Sequence, residues 1–284
     1  MRYGIYHDGK ARPSGKTSGC AWIASAGMDT QSQPARSFWA ARGDEKGTPS
    51  LVSPGARFDR YERWTRRVLQ DWTWRRVERY GRLPFAKAVD LGCGYGDWTA
   101  RLASRSREIV AVDLSPGFVE QTRQRLEAVG HATARVICGD ICELEDELRG
   151  ADLVSVGAVL MYLEDEEALA VLARLRRDIV PSGLLYQRDL CATNGRRERR
   201  NVRPGFFSIY RRPGRYIEMA ARSGFRLVEA RRSTSIYAEQ CTFETIGRGR
   251  ERATRALAVA PDLLWRLATL HWRTASWSFF FAHV

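Results

Sequence analysis

Three carboxylates close three short apolar runs: Asp90 in "KAVDLG", Asp113 in "EIVAVDLS" and Asp140 in "ARVICGD". Directly after the first come Gly92, Gly94 and Gly96. Glycine lacks a Cβ, so the backbone at Gly92 and Gly94 can turn tightly and approach a ligand closely. A dinucleotide loop wants its third glycine three residues beyond the second, and that position here is Asp97. An acid beside a pyrophosphate costs electrostatic energy, whereas beside an ammonium or sulfonium it does not. The spacing therefore predicts a ligand carrying positive charge. Asp113, 21 residues after Gly92, can accept both hydroxyls of a ribose. Asp140 stands where a carboxylate can accept an adenine amino group. Together these describe adenosine joined to a zwitterionic amino-acid tail.

Such acids need strands to deliver them to one edge. After Pro84, apolar runs alternate with helical patterns. "DWTARLAS" begins a helix, and "PGFVEQTRQRLEAVG" is a second, with Ser115 as N-cap, Pro116 at the first position and Gly130 at the end. Further strands are predicted in "DELRGADLVSVGAV", "LLYQRDL" and "FRLVEARRS", and further helices in "DEEALAVLARLRRDIV" and "PGRYIEMAARSG". The alternation predicts an α/β fold: a Rossmann-like, doubly wound, mostly parallel seven-stranded sheet flanked by helices, with the ligand at the carboxyl ends of the strands. Ahead of it, residues 58–80 place Phe58, Tyr61, Trp64, Val68 and Leu69 on one helical face. The expected organisation is a mostly irregular segment over 1–50, an N-terminal helical lid over 51–83 and the main domain over 84–284. Within that domain, 191–215 and 234–274 are candidate substrate caps, and the chain ends as a helix and a strand.

Composition bounds the function. Across 284 residues, 44% hydrophobic and 28% charged content is that of a globular protein. The net charge of +13 is uneven: residues 84–190 hold 12 basic and 18 acidic side chains, so the excess lies in the flanks. Six cysteines show no CxxC pair, which argues against a zinc site and for reduced thiols in the cytoplasm. "GKARPSGKT" has five residues between its glycines where a phosphate-binding loop needs four. "CAWIASAGM" is too short for a signal h-region, and the apolar C-terminal stretch is interrupted by Arg266, His271 and Arg273, so no membrane span is expected.

The runs "VDLGCGYGDWTARLA", "IVAVDLSPGFVEQTRQRL", "ICGDI", "ADLVSVGAVLMYL" and "PSGLLYQRDL" resemble, in order and spacing, the motifs of class I S-adenosylmethionine-dependent methyltransferases of the small-molecule type. The resemblance covers roughly Ala86 to Ser233. It implies S-adenosyl-L-methionine as methyl donor and S-adenosyl-L-homocysteine as product. It implies Asp90, Gly92 and Gly94 around the methionine moiety, Asp113 on the ribose and Leu114 against adenine. It also implies Asp140 on the adenine amino group, the backbone of Ile141 facing the ring, and Gly157 bordering the methyl group.

Methyl transfer asks a protein mainly for positioning and exclusion of water, with a base only where the nucleophile must lose a proton. The fourth strand ends "SVGAVLMYLED", without the Asp/Asn-Pro-Pro-aromatic or Pro-Cys motifs of nucleobase methylation. The acid that metal-dependent O-methyltransferases carry there is also missing, so no metal is expected. The reading is methyl transfer to O, N or C of a small molecule. Candidate bases are Tyr162, Asp189 and His271, and candidate substrate contacts are Tyr61, Trp64, Phe207, Tyr210 and Arg211. Three alternatives stay open: RNA or another polyanion as acceptor, favoured by the basic flanks; a nicotinamide oxidoreductase; and a non-catalytic scaffold.

Overall fold

A computed structural model describes residues 32–43, 69–131, 133–192, 198–203, 205–234 and 274–283. In chain order these hold α1 (Gln33–Arg42), α2 (69–80), β1 (Phe85–Leu91), α3 (Asp97–Ala103), β2 (Ser106–Asp113), α4 (Pro116–Ala128), β3 (Arg135–Cys138) and β4 (Ala151–Gly157). A 3-10 turn (Leu160–Tyr162) leads to α5 (Asp165–Asp178), β5 (Ile179–Ala192), β6 (Arg199–Arg203) and β7 (Phe206–Tyr210). The chain continues through α6 (Pro213–Arg222), β8 (Phe225–Thr234) and β9 (Thr274–His283).

One seven-stranded sheet runs in the order β3-β2-β1-β4-β5-β9-β8, as the alternation predicts. Strands β1 to β5 are parallel, and β9 lies antiparallel between β5 and β8. Their apolar runs are continuous because both faces are covered. On one face, α2, α3 and α4 pack Trp74, Val77, Leu102, Val119 and Leu126 against Ala88, Ala111 and Tyr186. On the other, α5 and α6 pack Val171, Leu172, Leu175 and Met219 against Val89, Val110, Val154 and Leu185. Each fully buried Leu or Val contributes about 1.5–3 kcal/mol, so the sheet is fixed from both sides. The strand order reverses between β1 and β4, which opens a crevice at their carboxyl ends.

Local signals hold where they were strongest. Ser115 caps α4 by accepting from Phe118 N at 3.4 Å, and Gly130 follows its end at φ +84°. In α5, acids fill the first turn and arginines the last, complementing the helix dipole.

The structure adds detail to three expectations. Within the 1–50 segment, α1 spans Gln33–Arg42. The segment 191–215 contains a separate β6–β7 hairpin. Strand β5 begins at Ile179, five residues before "LLYQRDL", because Ile179 pairs with Ala151 ahead of a register shift. The proposed helix over 58–80 is described only from residue 69. Tyr61, Trp64, His271 and most of the 234–274 cap lie outside the described residues. No helix among the described residues is long and apolar enough to cross a membrane.

Candidate active site

The loop after β1 is built on left-handed backbone, with Gly92 at φ +75°, Gly94 at +54° and Gly96 at +75°. A Cβ on Gly92 would lie 2.3 Å from Val159 Cγ2, and one on Gly96 would lie 2.8 Å from Thr122 Oγ1 in α4. The early third glycine is therefore a packing requirement: it lets the start of α3 close against α4. Thr122 Oγ1 also donates to Gly94 O at 2.8 Å, which fixes the turn. Asp97 does not face the crevice charge-free; it pairs with Arg125 at 2.7 Å. Its charge is neutralised locally, so the acids that bear on a cationic ligand are the buried ones.

Asp90 is 3% exposed. Thr99 Oγ1 donates to its Oδ2 at 2.6 Å, and Ser155, itself accepting from Trp98 Nε1 at 3.0 Å, supports it from β4. Burial pushes its carboxyl up to about 6 against those hydrogen bonds. Asp113 accepts from Gly94 N at 2.8 Å and from Ser115 N at 3.0 Å, which ties the glycine loop to the start of α4. Burial raises its carboxyl too. Among the described residues neither acid forms an ion pair. Two desolvated carboxyls without a cation are poised for a ligand that supplies charge or hydroxyl donors.

Asp140 differs. Its Oδ1 accepts from Cys142 N at 2.8 Å, and its Oδ2 accepts from Arg36 Nε at 2.5 Å. Arg36 also donates to Glu167 at 2.9 Å, while Ser32 Oγ reaches the same carboxylate. Burial works against the guanidinium charge, but Asp140 and Glu167 more than offset it and raise its pKa. Helix α1 thus covers the strand ends. Gly43, just past it, donates to Ser115 Oγ at 3.1 Å and comes so close that a Cβ would meet Phe118 N at 2.5 Å. Its rings meet the far side of the crevice: Trp39 packs edge-on to Tyr162 at 5.2 Å, and Phe38 to Phe206 at 5.2 Å. Residues 36–80, with Trp39, were expected to contribute to a lid, but the role of Arg36 was not read from the sequence "QPARSFWAAR".

The remaining residues separate into those at the crevice and those packed away from it. Gly157 ends β4, and a Cβ there would meet nothing within 4 Å. Leu114 is half-buried beside Asp113, whereas Ile141 is buried in the core with its carbonyl accepting from Arg174 at 3.3 Å. Tyr162 touches Trp39 and Phe206, and burial raises its hydroxyl pKa, so near neutral pH it is a hydrogen-bond donor and not a base. Asp189 is fully buried, with Oδ1 accepting from Met161 N at 3.2 Å and Oδ2 from Gln187 Nε2 at 2.9 Å. It braces the 3-10 turn. Arg211, wholly buried, donates to Asp165, Leu160 O and Leu163 O at 2.7, 2.8 and 2.7 Å. Phe207 is buried against Ala35 and Ile209, while Tyr210 is half-buried near Tyr162. Among the described residues no His, Cys, Asp and Glu gather as a metal site.

A parallel sheet with an antiparallel penultimate strand, a left-handed glycine loop after β1, and acids near the ends of β1, β2 and β3 define the fold of class I S-adenosylmethionine-dependent methyltransferases. Residues 88–183 match the family described as "Methyltransferase domain". Carboxy-S-adenosyl-L-methionine synthase of Shewanella piezotolerans is 30% identical over 136 residues, covering 42% of this chain and 55% of that protein. Trans-aconitate 2-methyltransferase of Methylobacterium nodulans is 38% identical over 102 residues, covering 35% of this chain and 36% of that protein. The chain thus spans about half or less of the length of these curated relatives. The N-methyltransferase NodS from Bradyrhizobium japonicum, solved in complex with S-adenosyl-L-homocysteine, superposes with a TM-score of 0.51 at 17% identity, covering 89% of this chain and 98% of that one.

Proposed function

We propose that this protein is a metal-independent methyltransferase that uses S-adenosyl-L-methionine to methylate O, N or C of a small molecule. The observation that carries this reading is the pair Asp90 and Asp113, buried at the glycine loop without an ion partner among the described residues, beside open space at Gly157. These residues fit the donor. Asp113 is placed for ribose hydroxyls, Asp140 for an adenine amino group, and Asp90 with Gly92 and Gly94 for the methionine end. When bound, the donor supplies a sulfonium-activated methyl carbon, open to a lone pair of the acceptor while the C–S electron pair leaves with sulfur. The chain's own work is to hold the loop, desolvate the crevice and exclude water beneath α1. With Tyr162 kept protonated and Asp189 engaged in the fold, no base is assigned. The printed activity of the trans-aconitate relative supports a small acceptor. Six cysteines without a CxxC pair support a cytoplasmic setting.

Calorimetric titration tests the reading. S-adenosyl-L-methionine and S-adenosyl-L-homocysteine should each bind one site per chain, and NAD should not. Binding of NAD with neither sulfur ligand bound would return the crevice to nicotinamide chemistry.

A further inference from the structure

Arg188 lies in β5 level with the carboxyl end of β4, paired in register with Gly157, the residue beside open space. Side chains alternate along a strand, so Arg188 shares the sheet face of Tyr186, two residues before it. Tyr186 packs against Trp98, and Trp98 reaches Ser155 beside Asp90, so this is the face of the glycine loop. Asp189, next in sequence, turns to the opposite face. Arg188 is half-buried. Among the described residues no hydrogen bond or ion pair engages its guanidinium. Arg211 and Arg36, in contrast, have donors consumed by carboxylates or main-chain carbonyls. The charge of Arg188 reaches Asp90, Asp189 and Tyr162 and in each works against the burial that raises the group.

A half-buried arginine usually finds a planar acceptor for its fork of N–H donors. Among the described residues no such acceptor meets Arg188, which leaves its donors available to a ligand. Asp140, Asp113 and Asp90 line β3, β2 and β1, and β5 is two strands beyond β1, about 10 Å away at the usual strand spacing. The donor's acids are thus on one side, and Arg188 is on the other. Above it sit Tyr162 and Trp39, whose indole Nε1 is buried without a hydrogen-bond partner among the described residues.

We propose that Arg188 binds the anionic group of the methyl acceptor and that this group is a carboxylate. The proposal rests on the methyltransferase reading above and names the substrate class of the same crevice. A monoanion matches one guanidinium, whereas the second charge of a phosphate would stand unpaired on the sheet face that also carries Asp90.

The test uses benzoate, benzamide and phenyl phosphate as probes, titrated into the full chain with and without saturating S-adenosyl-L-homocysteine. In the wild type, benzoate should bind at least tenfold more tightly than either of the others. Arg188→Gln should abolish that preference while changing S-adenosyl-L-homocysteine affinity less than twofold; Arg188→Lys should keep part of it. Loss of S-adenosyl-L-homocysteine affinity with the benzoate preference intact would overturn the proposal, placing Arg188 on the donor's own carboxylate. Equal binding of benzoate and benzamide, or stronger binding of phenyl phosphate, would also overturn it. If S-adenosyl-L-homocysteine fails to bind the wild type, the donor reading falls, while the titrations without it still decide the role of Arg188.

Discussion

Near the ends of β1, β2 and β3 the crevice is lined by the carboxyls Asp90, Asp113 and Asp140; at the end of β4, and level with it in β5, it carries Gly157, Ala158 and Arg188. The first side is tied down. Asp113 holds two backbone N–H groups, Asp90 holds a threonine hydroxyl, and Asp140 holds Arg36. The second side is less committed. Ala158 sits at φ +58°, a conformation costing a non-glycine residue about 1–2 kcal/mol, and Arg188 awaits a partner. The contrast teaches how one crevice can take two ligands of opposite sign. Buried carboxyls favour the cationic donor, and an unpaired guanidinium favours an anionic acceptor, so neither ligand competes well for the other's place.

The sharpest way to break this contrast is to remove the acid that holds the donor side together. Asp113→Ala deletes acceptors for Gly94 N and Ser115 N as well as the predicted ribose contact. S-adenosyl-L-homocysteine binding should weaken by about 1.5–3 kcal/mol, on the scale of hydrogen bonds to a charged group. Calorimetry reads this directly, and unchanged affinity would sink the assignment of Asp113 to the ribose.

On the second side, the acid to change is Asp189, and the contrast predicts an effect on stability instead of donor binding. Burial raises its carboxyl to about 7, against the hydrogen bonds from Gln187 and Met161. The unfolded chain ionises this group first as pH rises, so the folded state loses stability from about pH 4 up to about pH 7. Above that range the penalty is complete. Asp189→Asn removes it and gives Gln187 Oε1, buried without a partner, a possible donor. The variant should gain about 2–4 kcal/mol over wild type at pH 8 and little at pH 4. Thermal unfolding at the two pH values measures the difference; a gain that does not grow with pH would mean that Asp189 is ionised and compensated in the fold.

The two sides were also unequally legible. Asp90, Gly92, Gly94, Asp113 and Asp140 sit at strand ends, where a local apolar run and its terminating turn announce themselves in a few consecutive residues. Gly96 was visible but misjudged, because its need for a left-handed conformation lies in contact with Thr122 of another helix. Arg188 could be valued only from register: nothing in "YQRDL" says that it faces Gly157 while Asp189 turns away. Arg211 stood beside the aromatic hairpin in sequence, yet its partners are the main chain of Leu160 and Leu163 and a carboxylate 46 residues away. The anchoring of α1 was hidden for the same reason, since Arg36 finds Asp140 and Glu167 at separations of 104 and 131 residues.

Arg36 is where the two sides meet, and its replacement is the smallest and most discriminating perturbation. Its guanidinium ties α1 to Asp140 on the donor side, while Phe38 and Trp39 of the same helix rest on Phe206 and Tyr162 on the other. An ionised carboxylate offers about four acceptor positions, and Asp140 uses one for Cys142 N and one for Arg36. Room remains for an adenine amino group, so ligand and arginine can share the acid. Arg36→Gln should then loosen the cover without emptying the site. S-adenosyl-L-homocysteine should dissociate about three- to tenfold faster, equivalent to about 1 kcal/mol, with its association rate little changed. Stopped-flow or surface-binding kinetics would resolve the two rates. Tighter binding in the variant would mean that the guanidinium competes with the ligand for Asp140. In that case α1 would act as an occupant of the donor side that the ligand must displace, and not as a cover that closes over it.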